Sequence, residues 1–367
     1  MSRSKAPQLR FGYLLGVLYL AFACSAIGRA RRTPVFARET KLPCSACHRH
    51  VPLLNEFGER FYANGFKLPK NHKMYKTVPV WAALSAQATK QADTGGALPI
   101  SYDNTQVVAE GRIEKTDTLY FYAYSPTIKE NELYGTQPFG KELAVQFGKI
   151  GLLSQFDPGL EISPSSSAFL APMDTAVNQP STRLGPLTPS ASVLGLRSTF
   201  ALGNAMPYGN GWKLAATVPF TNEIAGESGG GGPTYDLSSQ PRGAFLEAYR
   251  RSGMDSVGVD YSAGRDGRHF YGLIGQKSLG RFFFEGGGGY ADGFGSETRV
   301  YSFSSQWVPT FDKAFGLRVD SQNGTLSYVP TVSYIFGREA HALQMIVESA
   351  FSPASGPTTT LTAVLRF

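Results

Sequence analysis

Leu326-Ser327-Tyr328-Val329-Pro330-Thr331-Val332-Ser333-Tyr334-Ile335-Phe336 carries Leu, Tyr, Pro, Val, Tyr and Phe at every second position. Successive side chains of a β-strand point to opposite faces, so a period of two predicts a strand with one continuous apolar face. The period recurs along the chain. Leu143, Val145 and Phe147 alternate with Ala144, Gln146 and Gly148; Trp212, Leu214, Ala216, Val218 and Phe220 alternate with Lys213, Ala215, Thr217 and Pro219. Val257, Val259 and Tyr261 alternate with Ser256, Gly258 and Asp260, and Leu343, Met345 and Val347 with Ala342, Gln344 and Glu348. From Val78 onward there are about 15 such segments of about 9–12 residues, the length a tilted strand needs to cross an outer membrane. A single-chain bacterial barrel takes an even number of strands. The expectation is therefore a mainly β chain, an outer-membrane antiparallel β-barrel of about 16 strands, with 14 next.

Aromatic residues sit toward the segment ends, where interface girdles belong. The chain closes on Leu361-Thr362-Ala363-Val364-Leu365-Arg366-Phe367, with Leu361, Ala363, Leu365 and Phe367 on one face. Arg251-Ser252-Gly253 reads as a tight periplasmic turn. Asp157 to Ser190, rich in Ser and Pro, and Asn222 to Arg242, with its four consecutive glycines, read as surface loops. A soluble β-sandwich shares the period but has no need of a terminal aromatic.

Charged residues make up 17% of the chain, below the roughly 25% of soluble globular domains. The formal charge is +7, but Arg3, Lys5, Arg10 and Arg29 lie in an acid-free first 30 residues. Without them 31 basic face 28 acidic residues, so the basicity is largely a targeting signal. A positive start, the apolar run Phe11–Ala23 and the small residues that follow read as a secretory signal peptide over 1–30. An uncleaved anchor helix is the competing reading. No basic stripe with aromatic platforms suggests nucleic acid.

The three cysteines are Cys24, inside the signal segment, and Cys44 and Cys47. Cys44-Ser45-Ala46-Cys47-His48 has the order that covalent c-type haem attachment needs. Two thiols add to the porphyrin vinyl groups, and the adjacent imidazole ligates the iron. A zinc half-site lacks a second Cys pair, a thioredoxin-like site lacks its βαβ surroundings, and a disulfide across two residues would be strained. The motif occurs once, so one covalent haem c is expected, with Cys44 and Cys47 holding it and His48 as an axial metal ligand. His50 follows His48 too closely to reach the opposite haem face. His72 and Met74 are the candidate distal ligands, His72 giving the lower reduction potential and Met74 the higher; a five-coordinate iron or a ligand from the barrel is the other reading.

Leu53, Leu54, Phe57 and Phe61 recur at helical spacing, with Pro52 at the first turn and Asn64-Gly65 at the end. A helix of about three turns follows, packed on the haem of a small domain over 31–77; the barrel takes 78–367.

Pro34-Val35-Phe36-Ala37-Arg38-Glu39-Thr40, the haem motif, Pro52-Leu53-Leu54-Asn55-Glu56-Phe57-Gly58, Phe61 and Asn64-Gly65-Phe66 together resemble the fused cytochrome–porins of outer membranes, whose best-known members are Fe(II) oxidases of iron-oxidising bacteria. The match covers about 35 residues; over the barrel it is architectural. The resemblance implies a small α-helical monohaem cytochrome c domain plugging a barrel of 16 strands. It implies electrons moving from extracellular Fe(II) or another reductant, through the haem, to a periplasmic carrier such as a cytochrome or copper protein. Outer-membrane lipid is the remaining partner.

A barrel wall insulates, so electron transfer needs a redox centre, and one haem cannot bridge the roughly 30 Å hydrocarbon core. It must sit near one end. The competing function is an outer-membrane channel or scaffold whose haem is structural or senses a ligand; a haem peroxidase is a third. Apart from a possible Fe(II) oxidase activity, no enzyme motif stands out. Gly229–Gly232 lacks the Lys and Ser/Thr of a phosphate cradle, and His269 and His341 read as strand residues.

Overall fold

A computed structural model describes residues 35–51, 53–68, 80–91, 100–113, 116, 118–124, 132–151, 192–205, 209–220, 222–224, 234–236, 243–264, 269–292, 297–336, 343–353 and 356–366. The signal segment, His72, Met74, His341, Phe367 and the stretch 157–190 lie outside them. Three short helices come first: α1 (Val35–Thr40), α2 (Cys44–Cys47) and α3 (Glu56–Ala63). The strands are β1 (Val80–Gln91), β2 (Ile100–Arg112), β3 (Leu119–Tyr124), β4 (Glu132–Phe139), β5 (Leu143–Gly151), β6 (Ser192–Ala201), β7 (Gly211–Pro219), β8 (Asn222–Ile224), β9 (Thr234–Asp236), β10 (Gly243–Ser252), β11 (Asp255–Gly264), β12 (His269–Leu279), β13 (Phe282–Asp292), β14 (Thr298–Thr310), β15 (Lys313–Gln322), β16 (Thr325–Phe336), β17 (Leu343–Ser352) and β18 (Gly356–Arg366).

Sixteen of these, among the described residues, close into one antiparallel barrel. Each bonds to its neighbours in the chain, except that β7 bonds to β10 across the small β8–β9 hairpin, and β1 bonds to β18 to shut the cylinder. Closure satisfies every edge, which a sheet surrounded by hydrocarbon requires.

The barrel is inverted relative to a soluble protein. On β7, Trp212 and Leu214 are more than half exposed outward, while Lys213 and Thr217 are buried inward. On β16, outward Tyr328 and Val332 alternate with buried Val329, Thr331, Ser333 and Ile335. Water would penalise that apolar outer face; lipid does not. The aromatics form two bands: Phe139, Trp212, Phe282, Trp307, Phe315 and Phe336 near one end, and Phe147, Phe220, Tyr271, Tyr301, Tyr328 and Phe351 nearer the other. Phe282, Trp307 and Phe315 are opposite one another on successive strands, with stacked rings 6.5 and 5.4 Å apart.

At the first of these ends, tight turns join β4 to β5, β10 to β11, β12 to β13 and β14 to β15. Gly253 (φ 62°) and Gly280 (φ 58°) each supply the positive φ at the first central position that a two-residue hairpin of this kind demands. The turn expected at 251–253 lies at Gly253–Met254, with Arg251 and Ser252 still paired in β10. Part of the surface loop expected at 222–242 is the β8–β9 hairpin.

The expected three-turn helix is shorter. It runs from Glu56 to Ala63, because Asn55 caps it: Asn55 Oδ1 accepts from the backbone N–H of Phe57 and Gly58, both at 3.0 Å. Leu53 and Leu54 precede the helix, and Leu54 forms a backbone bridge with His48. Asn64 and Gly65 (φ 62°) end it as expected. No helix among the described residues is long and apolar enough to cross a membrane.

Candidate site at the barrel mouth

Cys44 opens α2 and Cys47 closes it, so the two thiols lie one helical turn apart. They are unbridged and half-buried. His48 caps the helix, its N–H donating to Cys44 O at 2.9 Å. Burial pushes the Cys47 thiol up to about 11, and neighbouring Cys44 adds to the rise.

Asn55 also fastens this turn to α3. Its Nδ2 donates to Ala46 O at 3.0 Å and Ser45 O at 3.3 Å, and its backbone N–H donates to Cys47 O at 2.8 Å. Gly58 lets the two elements touch: a Cβ there would lie 2.2 Å from Cys47 O. Behind them Phe36 packs on Phe61 (5.1 Å, edge-on) and Phe66 (4.4 Å, stacked).

The segment is docked in the turn end of the barrel. His50 is fully buried: its Nδ1 lies 2.8 Å from Phe311 O and its Nε2 2.8 Å from Ser333 Oγ. Gln344 Nε2 donates to Ser333 Oγ (2.8 Å) and Val51 O (3.0 Å). Arg49 donates to Gly280 O at 2.5 Å, Glu59 pairs with Arg251, and Arg38 donates to Val80 O. Leu53 packs against Met254, Phe283, Val308 and Ala314 from the inner wall. Burial raises the Glu59 carboxyl above the ordinary carboxylate range, against the pull of Arg251 and Arg49.

The residues fit a covalent haem c: two unbridged, partly accessible thiols on one turn, followed at once by an imidazole. Among the described residues no three or more His, Cys, Asp and Glu side chains gather as metal ligands. Of the histidines thought to lie on strands, His269 is on β12, its Nδ1 2.8 Å from Tyr261 Oη. Sequence reasoning treated His50 only as a failed haem ligand and missed its role as an anchor; no local signal marks a contact to Ser333.

No protein-family model matches the chain, and no curated protein matches it. Among solved structures it is similar to OmpT of Vibrio cholerae (TM-score 0.52, 8% identity, covering 80% of this chain and 99% of that one). It is similar also to an anion-selective porin from Comamonas acidovorans (TM-score 0.52, 10% identity, 79% and 98%). The fold is therefore that of the outer-membrane porin barrels.

Proposed function

We propose that this is an outer-membrane electron-transfer protein. It would pass electrons from an extracellular donor, Fe(II) first among them, to periplasmic carriers, with one haem c at Cys44 and Cys47 and His48 as axial ligand. The observation that carries the reading is the docking of the Cys44–His48 turn inside one mouth of a closed, apolar-walled barrel. Haem c supplies a one-electron couple when bound. The chain's own residues do the rest. Asn55 and Gly58 hold the two thiols and His48 as a unit, while His50, Leu53 and Glu59 seat that unit on the wall. His72 or Met74 remains the proposed second axial ligand.

Short turns and both chain-terminal strand ends share the motif's end, the arrangement of the periplasmic side of such barrels. A porin-like channel is the second reading, carried by the fold alone. The inner wall speaks against it: Arg197, Thr217, Ser304 and Gln306 are buried to 0–2% exposure, whereas side chains lining an aqueous pore are wet.

The test starts with the mature chain purified from outer membranes. One haem's added mass and a ferrohaemochrome band in pyridine are expected, both lost in Cys44→Ala/Cys47→Ala. An unmodified mass sinks the reading. Mixing the oxidised protein anaerobically with Fe(II) should then reduce it; failure at every pH removes Fe(II) as donor.

A further inference from the structure

Five polar side chains face inward near mid-height on β6, β7, β10 and β11: Arg197, Thr217, Glu247, Asp260 and Ser262, none more than 4% exposed. Register makes them neighbours. Glu247 is directly opposite Asp260; Thr217 is opposite both Arg197 and Phe245, and Phe245 is opposite Ser262. Arg197 pairs with Glu247. Yet Thr217 Oγ1, Glu247 Oε1 (the carboxylate oxygen turned away from Arg197), Asp260 Oδ2 and Ser262 Oγ have no hydrogen-bond partner.

A second cluster on β14 and β15 shows what satisfaction looks like in the same wall. Asp320 accepts from Ser302 Oγ at 2.7 Å and from Arg318 Nε at 2.8 Å, using both oxygens. Among the described residues, the Arg197 guanidinium faces both the Glu247 and the Asp260 carboxyl. Two carboxylates that share one guanidinium away from water are costly unless something positive joins them. All the orphaned atoms are oxygens. Carboxylates and hydroxyls without nitrogen or sulfur suit hard divalent ions of the Mg, Ca and Mn kind.

We propose that Glu247 and Asp260, with the Ser262 hydroxyl two residues along β11 from Asp260, form a divalent-cation site in the inner barrel wall. It stands independently of the haem. The probe is Mn(II), added to the full chain in detergent after chelator treatment and dialysis. In electron paramagnetic resonance, wild type should remove one equivalent of the free Mn(II) signal. Glu247→Gln/Asp260→Asn should bind more than about tenfold more weakly, tenfold being what loss of even an outer-shell partner costs. Asp260→Asn alone keeps the Arg197–Glu247 pair, and its circular dichroism checks that the barrel has formed. Mn(II) should also raise the melting temperature of wild type but not of the double variant. An undiminished free Mn(II) signal in wild type overturns the proposal. Equal binding in the double variant overturns it too.

Discussion

His50 and Ser333, 283 positions apart in the chain, meet at 2.8 Å, imidazole Nε2 to hydroxyl Oγ. The Phe311 carbonyl opposite Nδ1 can only accept, so Nδ1 carries a proton and donates to it, while Nε2 shares a hydrogen bond with the Ser333 hydroxyl. Both ring nitrogens are thus spent on the barrel. His50→Ala strands the Phe311 carbonyl and should cost about 1–3 kcal/mol of docking free energy. Limited proteolysis should then release residues 35–68 while the barrel resists heat as before. A segment protected equally in both proteins would remove His50 as the anchor.

Gly58→Ala is expected to destabilise, although the same change in an exposed helix interior gains about 1 kcal/mol. The new Cβ meets backbone, Cys47 O at 2.2 Å and Cys47 C at 3.0 Å, and backbone cannot swing aside. Hydrogen exchange at Asn55, whose N–H donates to Cys47 O, should quicken as the two elements are pushed apart.

Asn55 has two separable tasks. Asn55→Ala loses the α3 cap, worth about 0.5–2 kcal/mol, together with the bonds to Ser45 and Ala46. Asn55→Asp keeps an oxygen for the cap but loses the Nδ2 donor. Hydrogen exchange at Phe57 and Gly58 should quicken in the first variant and stay slow in the second.

Leu53→Ala empties a site lined by Met254, Phe283, Val308 and Ala314. A buried Leu→Ala change costs about 2–5 kcal/mol. Denaturant titration followed by exchange within 35–68 should show that loss, with strands β2 to β6 little affected.

Glu59 makes the docking pH-dependent. Burial holds its carboxyl above the unfolded value, so protonation favours the docked form. That stability is present below about pH 4.3, the unfolded value, and is lost as pH rises through the raised folded value. Protection of 35–68 should therefore decline from mildly acid to neutral pH, and Glu59→Gln should flatten the decline. A rise in its place would mean that Arg251 outweighs burial.

The strands were legible because lipid outside and polar groups inside impose a strict period of two on residues such as Trp212–Phe220 and Leu326–Phe336. The juxtaposition of Cys44, Cys47 and His48 on one turn was legible because the three lie within five consecutive residues. Other features were less accessible for identifiable reasons. The start of α3 turns on a single Asn55 side chain, which outweighed the apolar pattern running back to Leu53. The turn Asn323-Gly324, with φ of 50° and 84°, carries the strongest short hairpin signal and was passed over. The pairing of His50 with Ser333, and of Glu247 with Asp260, depends on which strands become neighbours and in what register. No local pattern encodes that.

Because β1 pairs with β18, the cylinder does not exist until the two outermost strands of the sheet have met. Ser333 and Gln344, which grip His50, lie on β16 and β17, close to that seam. The socket for His50 therefore exists only once β16 and β17 have paired beside that seam, so the grip on the 35–68 segment is tied to closure of the wall around it.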